Sequence, residues 1–113
     1  MMKVEAIIRP ERVEEVRNAL DEMGIIGITV VEVRGHGKQR GYTQRFRGAE
    51  YAVTLLPKAK IETVVPEDKV DDVVDAIVAS SRTGEVGDGK VFVMPVSDVV
   101  RVRTGESGRY ALE

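Results

Sequence analysis

The chain contains one local pattern twice: a β-rich run, a helix with one apolar face, and a second β-rich run. Residues 13–20 (VEEVRNAL) and 70–77 (VDDVVDAI) resemble each other, and a proline and an acid lie shortly before each. Proline suits the first turn of a helix because its missing N–H would be unpaired there, and acids favour the positive end of the helix dipole. Apolar spacings of three and four therefore predict two amphipathic helices.

Runs rich in β-branched residues flank both predicted helices. Residues 4–8 and 61–65 precede the helices, and residues 28–33 and 91–94 follow them. Two such units side by side predict an α+β fold, the ferredoxin-like double β-α-β sandwich, with an antiparallel sheet, both helices on one face and right-handed crossovers. Alternation at 99–103 predicts a last short strand. The second sheet face would lack cover, which predicts an oligomer.

Composition limits the number of domains and the available chemistry. The 113 residues match the size of a single domain, 1–113. With no cysteine and only His36, the chain cannot form disulfides, a thiol nucleophile or a multi-histidine zinc site. Neither a span of about 20 apolar residues nor a signal-peptide pattern is present, so we expect a cytoplasmic protein. A formal net charge of −2 argues against a general nucleic-acid-binding surface.

A glycine-rich segment, residues 82–90, joins the second helix to the next strand. Residues 84–90 read G-x-x-x-x-G-K, the start of the phosphate-binding loop of nucleoside triphosphatases, but Val91 stands where that motif needs Ser or Thr. That loop also joins a strand to a helix, which is the reverse of the order here. The glycines and Lys90 can still form an anion site, and a plain glycine-rich turn is the alternative.

Two further groups of basic residues are candidate binding residues. Arg101 and Arg103 would project from one face of the predicted last strand, where they could grip a polyphosphate or simply face solvent. Residues 35–48 form a long basic connection without an acid. Its residues 40–42 resemble the start of an RNA-recognition signature, but the match then fails and only 4% of the chain is aromatic. Insertion into a protein partner is the favoured interpretation.

Catalytic groups are sparse. His36 has no evident nucleophile to assist, and the three acids of the second helix, Asp71, Asp72 and Asp75, lie opposite its apolar face. The sequence therefore predicts that the protein is not an enzyme.

Four segments together resemble the PII nitrogen-regulatory signal-transduction proteins, with likeness extending to Glu106. These segments are 46–51 (FRGAEY), 56–58 (LPK), 83–92 (TGEVGDGKVF) and 101–106 (RVRTGE).

The resemblance implies a homotrimer with three clefts between subunits, each binding ATP or ADP in competition. It implies that phosphates meet the glycine-rich segment and, from the neighbouring subunit, the two arginines, while adenine meets backbone around Thr29 and from Glu62 to Val64. The matching nucleotide-binding positions are Thr29, Gly37, Lys38, Gln39, Glu62, Thr63, Val64, Gly87, Asp88, Gly89, Lys90, Arg101 and Arg103.

The same resemblance implies a site for 2-oxoglutarate beside the nucleotide. Gln39 would coordinate Mg²⁺ together with ATP phosphates and the oxo acid, and Lys58 would pair with the distal carboxylate. Mg²⁺ held mainly by ligand oxygens is chemically reasonable. The remaining positions implied for the oxo acid are Gly37, Lys38, Arg40, Gly41 and Gly87.

A flexible T-loop at residues 37–55 is the implied means of contact with partners. Tyr51 matches a tyrosine that is uridylylated or adenylylated in some members, and Arg47 matches an arginine that enters the pore of an ammonium transporter. Ala49 excludes the serine phosphorylation of some relatives. Expected partners are an ammonium transporter and nitrogen-assimilation enzymes and regulators. The C-terminal segment 101–113 ends the chain, and a small nucleotide hydrolase and an RNA-binding module are the alternative functions.

Overall fold

A computed structural model of the protein describes residues 1–37, 42–46 and 48–112. Within these residues lie two α-helices and six β-strands. The helices are α1 (Val13–Glu22) and α2 (Val70–Ser81), and the strands are β1 (Met2–Ile8), β2 (Thr29–Gly35), β3 (Tyr42–Phe46), β4 (Ala49–Val53), β5 (Leu56–Val65) and β6 (Lys90–Pro95).

Four strands form one antiparallel sheet in the order β2-β5-β1-β6. The two strands of each β-α-β unit are therefore not neighbours. β5 lies between β1 and β2, and β1 lies between β5 and β6. Both helices contribute to the same core cluster as the buried residues of β1 and β5. The predicted α+β, ferredoxin-like fold is confirmed. No helix in the described ranges has the length and apolar character needed to cross a bilayer.

Both helices begin as the proline pattern predicts, with a short 3₁₀ turn ahead of the α-helix. Pro10 is the first residue of the turn Pro10–Arg12, and Pro66 directly precedes the turn Glu67–Lys69. Proline at these positions costs no hydrogen bond because the first N–H groups of a helix have no partner within it. The acids of α2 that were predicted to face solvent, Asp71, Asp72 and Asp75, are exposed.

The core lies between the helices and one sheet face. Alternate residues of β1 are buried, and so are alternate residues of β5 from Ala59 to Val65. From the helices, Val16 and Leu20 of α1 belong to the same buried cluster as Val73 and Ile77 of α2, and all four are at most 1% exposed. Burial of each such side chain stabilises the fold by about 1.5–3 kcal/mol before entropy is subtracted.

The sheet face opposite the helices carries charged and apolar side chains. Lys3 and Lys60 each form an ion pair of 3.4 Å with Glu62. On the outer strands, Val31 and Phe92 are 40% and 44% exposed. Large apolar side chains on an uncovered face are what the sequence pattern predicted, and the homotrimer that would cover them stays a prediction.

The predicted last strand at residues 99–103 is wrong. Val100 makes only an isolated bridge with Ser107, and residues 102–104 form a turn. The turn is closed by two backbone hydrogen bonds of 2.8 Å, from Arg101 N to Glu106 O and from Gly105 N to Arg101 O. Gly105 has φ +73°, a conformation that favours glycine and ends the extended alternation. Arg101 and Arg103 therefore do not share a strand face.

The predicted T-loop, residues 37–55, contains regular structure that the sequence analysis missed. β3 and β4 pair as a separate antiparallel sheet in which Gln44 lies opposite Tyr51. Gly48, at φ +79°, lies in the short connection between them. β-prone residues on both sides of this glycine are the signal that could have predicted the hairpin.

Candidate functional site

The glycine loop, defined as residues 82–90, packs directly on the backbone of β1. Gly89 has φ +98°, and a Cβ built at this position would lie 1.7 Å from the carbonyl oxygen of Ile7. No side chain fits at that distance, and the positive φ alone already favours glycine. Lys90 begins β6 and pairs with Ile7, so the loop is held against the sheet at its last two residues.

Asp88 organises the first half of the glycine loop. Its carboxylate accepts hydrogen bonds from the backbone N–H of Thr83 at 2.9 Å, from that of Gly84 at 2.8 Å, and from the Thr83 hydroxyl. Arg9 donates through Nε at 3.1 Å. The Thr83 hydroxyl and then the two backbone donors, aided by Arg9, outweigh burial and hold the pKa of Asp88 far below its usual range.

This arrangement changes the role assigned to two parts of the loop. The N–H groups of Thr83 and Gly84 bind a carboxylate of the same chain, so an external anion would be met by the later residues, from Gly87 to Lys90. Asp88 acts on the shape of the loop through its carboxylate. Part of the anion site that the glycine spacing predicted is thus occupied by the carboxylate of Asp88.

Two cations lie beside the loop at the same end of the sheet, Lys58 on β5 and Arg9 after β1. Lys58 Nζ donates to the carbonyl oxygen of Gly87 at 2.8 Å. Burial, followed by the charge of Arg9, lowers the pKa of Lys58, and Glu11 and Asp88 oppose that shift. We call Arg9 and Lys58 the cationic corner. Arg9 is paired with Asp88, so Lys58 is the charge of this corner that can receive an anionic group next to the glycine-rich backbone.

The cationic corner lies next to the entry of the predicted T-loop. β2 ends at Gly35, which pairs with Leu56 at the start of β5. A Cβ built on Gly35 would contact Cγ of Lys58 at 3.5 Å. A movement of the Lys58 side chain would therefore act directly on the backbone that leads into residues 37–55.

A groove of about 240 Å³ lies at the other end of β5. Its walls include Thr29, Glu62, Thr63 and Val64, the four positions that the resemblance implied for adenine. Thr63 is buried, and its hydroxyl donates to the carbonyl oxygen of Gly27 at 2.9 Å, which fixes the connection before β2. The structure thus brings these four residues together.

The remaining predicted residues lie outside the cationic corner, the glycine loop and the groove, or outside the described residues. Arg101 lies in the C-terminal turn, where its guanidinium donates to Glu106 at 3.2 Å and to the carbonyl oxygen of Tyr110 at 2.8 Å. Arg103 is exposed on the same turn. Gly37 is exposed at the end of its described range, and Tyr51 lies on β4. Predicted positions outside the described residues are Lys38, Gln39, Arg40, Gly41 and Arg47.

The described ranges hold no group of three or more His, Asp or Glu side chains that could bind a metal ion. The predicted magnesium ligand, Gln39, lies outside those ranges. The described residues therefore bear on the anionic part of a ligand, through the cationic corner and the glycine loop.

Arg9 contacts the loop through two hydrogen bonds and could not be predicted as a site residue from the sequence. Besides the bond to Asp88, its terminal nitrogen donates to the carbonyl oxygen of Val86 at 2.9 Å. No motif marks this arginine. The pairing of β1 with β6 in the folded chain brings the residue after Ile8 to the loop that precedes Lys90.

Asp88 makes the order of the glycine loop dependent on pH. A carboxyl whose pKa is lowered in the folded state adds stability above its unfolded pKa, and that stability is lost as pH falls toward the folded value. Because the ordinary pKa is 3.8, we expect the contribution to be complete at pH 5 and to decline below about pH 4. In urea unfolding, the stability difference between wild type and Asp88→Asn should be larger at pH 5 than at pH 3. An equal difference at both pH values would contradict this account.

Comparison with known proteins supports one family over the whole fold. The family model described as "Nitrogen regulatory protein P-II" matches residues 1–106. The chain is 57% identical to nitrogen regulatory protein P-II of Microchaete diplosiphon and 54% identical to nitrogen regulatory protein P-II 1 of Escherichia coli strain K12. Each match spans 112 residues, 99% of this chain and 100% of the relative.

A solved structure agrees with these matches. The crystal structure of Arabidopsis thaliana PII bound to citrate superimposes with a TM-score of 0.81 at 46% identity, covering 99% of this chain and 89% of that one. The relatives are named as regulatory proteins and not as enzymes. The chain therefore belongs to the nitrogen regulatory protein P-II family.

Proposed function

We propose that this signal protein senses ATP or ADP, together with Mg²⁺ and 2-oxoglutarate, at clefts between the subunits of a homotrimer. Through the T-loop it would control ammonium transport or nitrogen-assimilation enzymes and regulators. The observation that carries the proposal is the meeting of Lys58 with the glycine loop at the carbonyl of Gly87, in a chain of the P-II family. Glycine-rich backbone and a lysine are suited to phosphates and carboxylates.

The distance between the cationic corner and the groove supports a cleft between subunits. The cationic corner is at Lys58 and the groove is at Thr63, five residues further along β5, which corresponds to about 17 Å. The glycine loop and the groove also lie toward opposite edges of the sheet, since Lys90 begins β6 and Thr29 is on β2. The phosphates of a compact nucleotide would contact the cationic corner and glycine loop of one chain, and its adenine would contact the groove of another chain. Arg101 and Arg103 would then reach the phosphates from the neighbouring subunit.

The proposed oxo-acid site rests on the chemistry of carboxylates. The Arabidopsis relative is bound to citrate, a small polycarboxylate like 2-oxoglutarate. Lys58 is the group we assign to the distal carboxylate, and Gly87 N–H is a second donor. Mg²⁺ would be held by Gln39 and by oxygens of the nucleotide and oxo acid, consistent with the preference of Mg²⁺ for oxygen ligands.

Coupling between ligand and partner would pass through the end of β2. Gly35 lies against the stem of Lys58, and the T-loop begins two residues later. Ligand binding that repositions Lys58 and Gln39 would change the conformation of residues 37–55, a switch of the order/disorder type. Arg47 would contact a transporter, and Tyr51 is the residue we assign to nucleotidylylation.

Calorimetric titration of the purified protein with ATP, followed by displacement with ADP, tests the nucleotide part of the proposal. We expect saturable ATP binding and competition by ADP, because both ligands would use the same glycine loop. A protein that binds neither nucleotide would contradict the proposal.

A further inference from the structure

Arg9 is the side chain that joins the glycine loop to the end of β1. Its guanidinium side chain is only 15% exposed and makes two hydrogen bonds, to Asp88 and to the carbonyl oxygen of Val86. The other hydrogen bonds of Asp88, to Thr83 and Gly84, stay within the loop. They shape the loop but do not fix its position relative to the sheet.

The charge of Arg9 also bears on what the loop can bind. Asp88 is ionised and lies directly before Gly89, so an unpaired carboxylate here would repel a polyphosphate. The ion pair of 3.1 Å with Arg9 offsets that charge. A carboxylate that orders an anion-binding loop therefore requires a cation beside it.

We propose that Arg9 is a positioning residue for the phosphates of the bound nucleotide. It holds residues 86–88 at a fixed place against β1 and compensates the charge of Asp88, so that the backbone N–H groups from Gly87 to Lys90 face the phosphates. The inference rests on the proposed function, since it assigns a further residue to the same site. Arg9 itself need not touch the ligand.

The test compares Arg9→Met, Arg9→Lys and Arg12→Met with wild type. Arg12→Met is the matched control, because Arg12 lies in the same connection but pairs with Glu15 of its own helix at 4.0 Å. ATP affinity is measured by calorimetry, and adenosine, which lacks phosphates, is measured as a competitor of a fluorescent ATP analogue. Circular dichroism and light scattering verify the fold and the assembly of each variant.

We expect Arg9→Met to weaken ATP binding by about tenfold or more, because two hydrogen bonds of a charged group are lost. The competition constant of adenosine should stay within about twofold of wild type, since adenosine has no phosphate to position. Arg9→Lys should recover part of the ATP affinity, because an ammonium can pair with Asp88 but lacks the guanidinium fork that also reaches Val86. Arg12→Met should match wild type.

Two results would overturn the inference while leaving the proposed function in place. One is wild-type ATP affinity in Arg9→Met. The other is an equal loss of affinity for ATP and adenosine, which would indicate a general disturbance of the cleft. Failure of the wild-type protein to bind ATP would overturn the proposed function and this inference with it.

Discussion

Gly89→Ala is expected to lower the free energy of unfolding by about 2–5 kcal/mol and to abolish ATP binding. About 1–2 kcal/mol comes from placing a side chain at φ +98°, and about 1–3 kcal/mol comes from the steric overlap with β1. The overlap cannot be relieved by a rotamer change, because the nearest atom is the carbonyl oxygen of Ile7 at 1.7 Å. Urea unfolding and calorimetric titration with ATP measure the two effects.

Gly84→Ala is the matched control for this experiment. Gly84 has φ +91°, and a Cβ built there meets no heavy atom within 4 Å. We therefore expect only the backbone cost of about 1–2 kcal/mol and retained ATP binding. Equal destabilisation by both variants would show that the loop moves away from β1 without cost.

The glycine spacing alone predicts a different outcome for Gly89→Ala, namely an intact fold with a methyl group inside the anion site. In the structure, the methyl group would instead overlap the backbone of Ile7. Loss of stability and loss of binding should therefore occur together. Native-state hydrogen exchange in β1 and β6 would show where the disturbance lies.

Lys58→Met is expected to remove the response to 2-oxoglutarate while sparing ATP binding. Methionine keeps an unbranched apolar stem of similar length against Gly35 but cannot pair with a carboxylate. Loss of a charge-assisted hydrogen bond predicts at least about a tenfold weaker affinity for the oxo acid. The measurement is a titration with 2-oxoglutarate at saturating ATP and Mg²⁺.

Lys69→Met is the control for the charge change. Lys69 is exposed in the 3₁₀ turn before α2. Its substitution should leave both affinities unchanged. A normal oxo-acid affinity in Lys58→Met would show that another group binds the carboxylate.

The fold could be predicted from the sequence because its elements have strong periodicity. Apolar residues recur every three or four positions in α1 and α2 and alternate in β1 and β5, so each element shows which face is buried. The segment at 99–103 alternates as well, but Gly105 and two local hydrogen bonds close a turn there. Alternation without a neighbouring strand to pair with does not make a sheet.

The site could be predicted only at the level of the segment. The glycines and Lys90 identified the loop, and the resemblance identified Lys58, but neither showed that the carboxylate of Asp88 binds the N–H groups of Thr83 and Gly84. Arg9 is separated from the loop by more than 70 residues. Contacts over such separations depend on strand pairing and leave no local pattern.

The dependence of 2-oxoglutarate binding on ATP and Mg²⁺ is the measurement that most directly tests the central claim. The protein would be titrated with the oxo acid in the presence and absence of both, while light scattering records the mass of the assembly. We predict an assembly of about three times the chain mass of 12.4 kDa and saturable oxo-acid binding only when ATP and Mg²⁺ are present. A monomer, or oxo-acid binding that is absent or indifferent to ATP, would contradict the account.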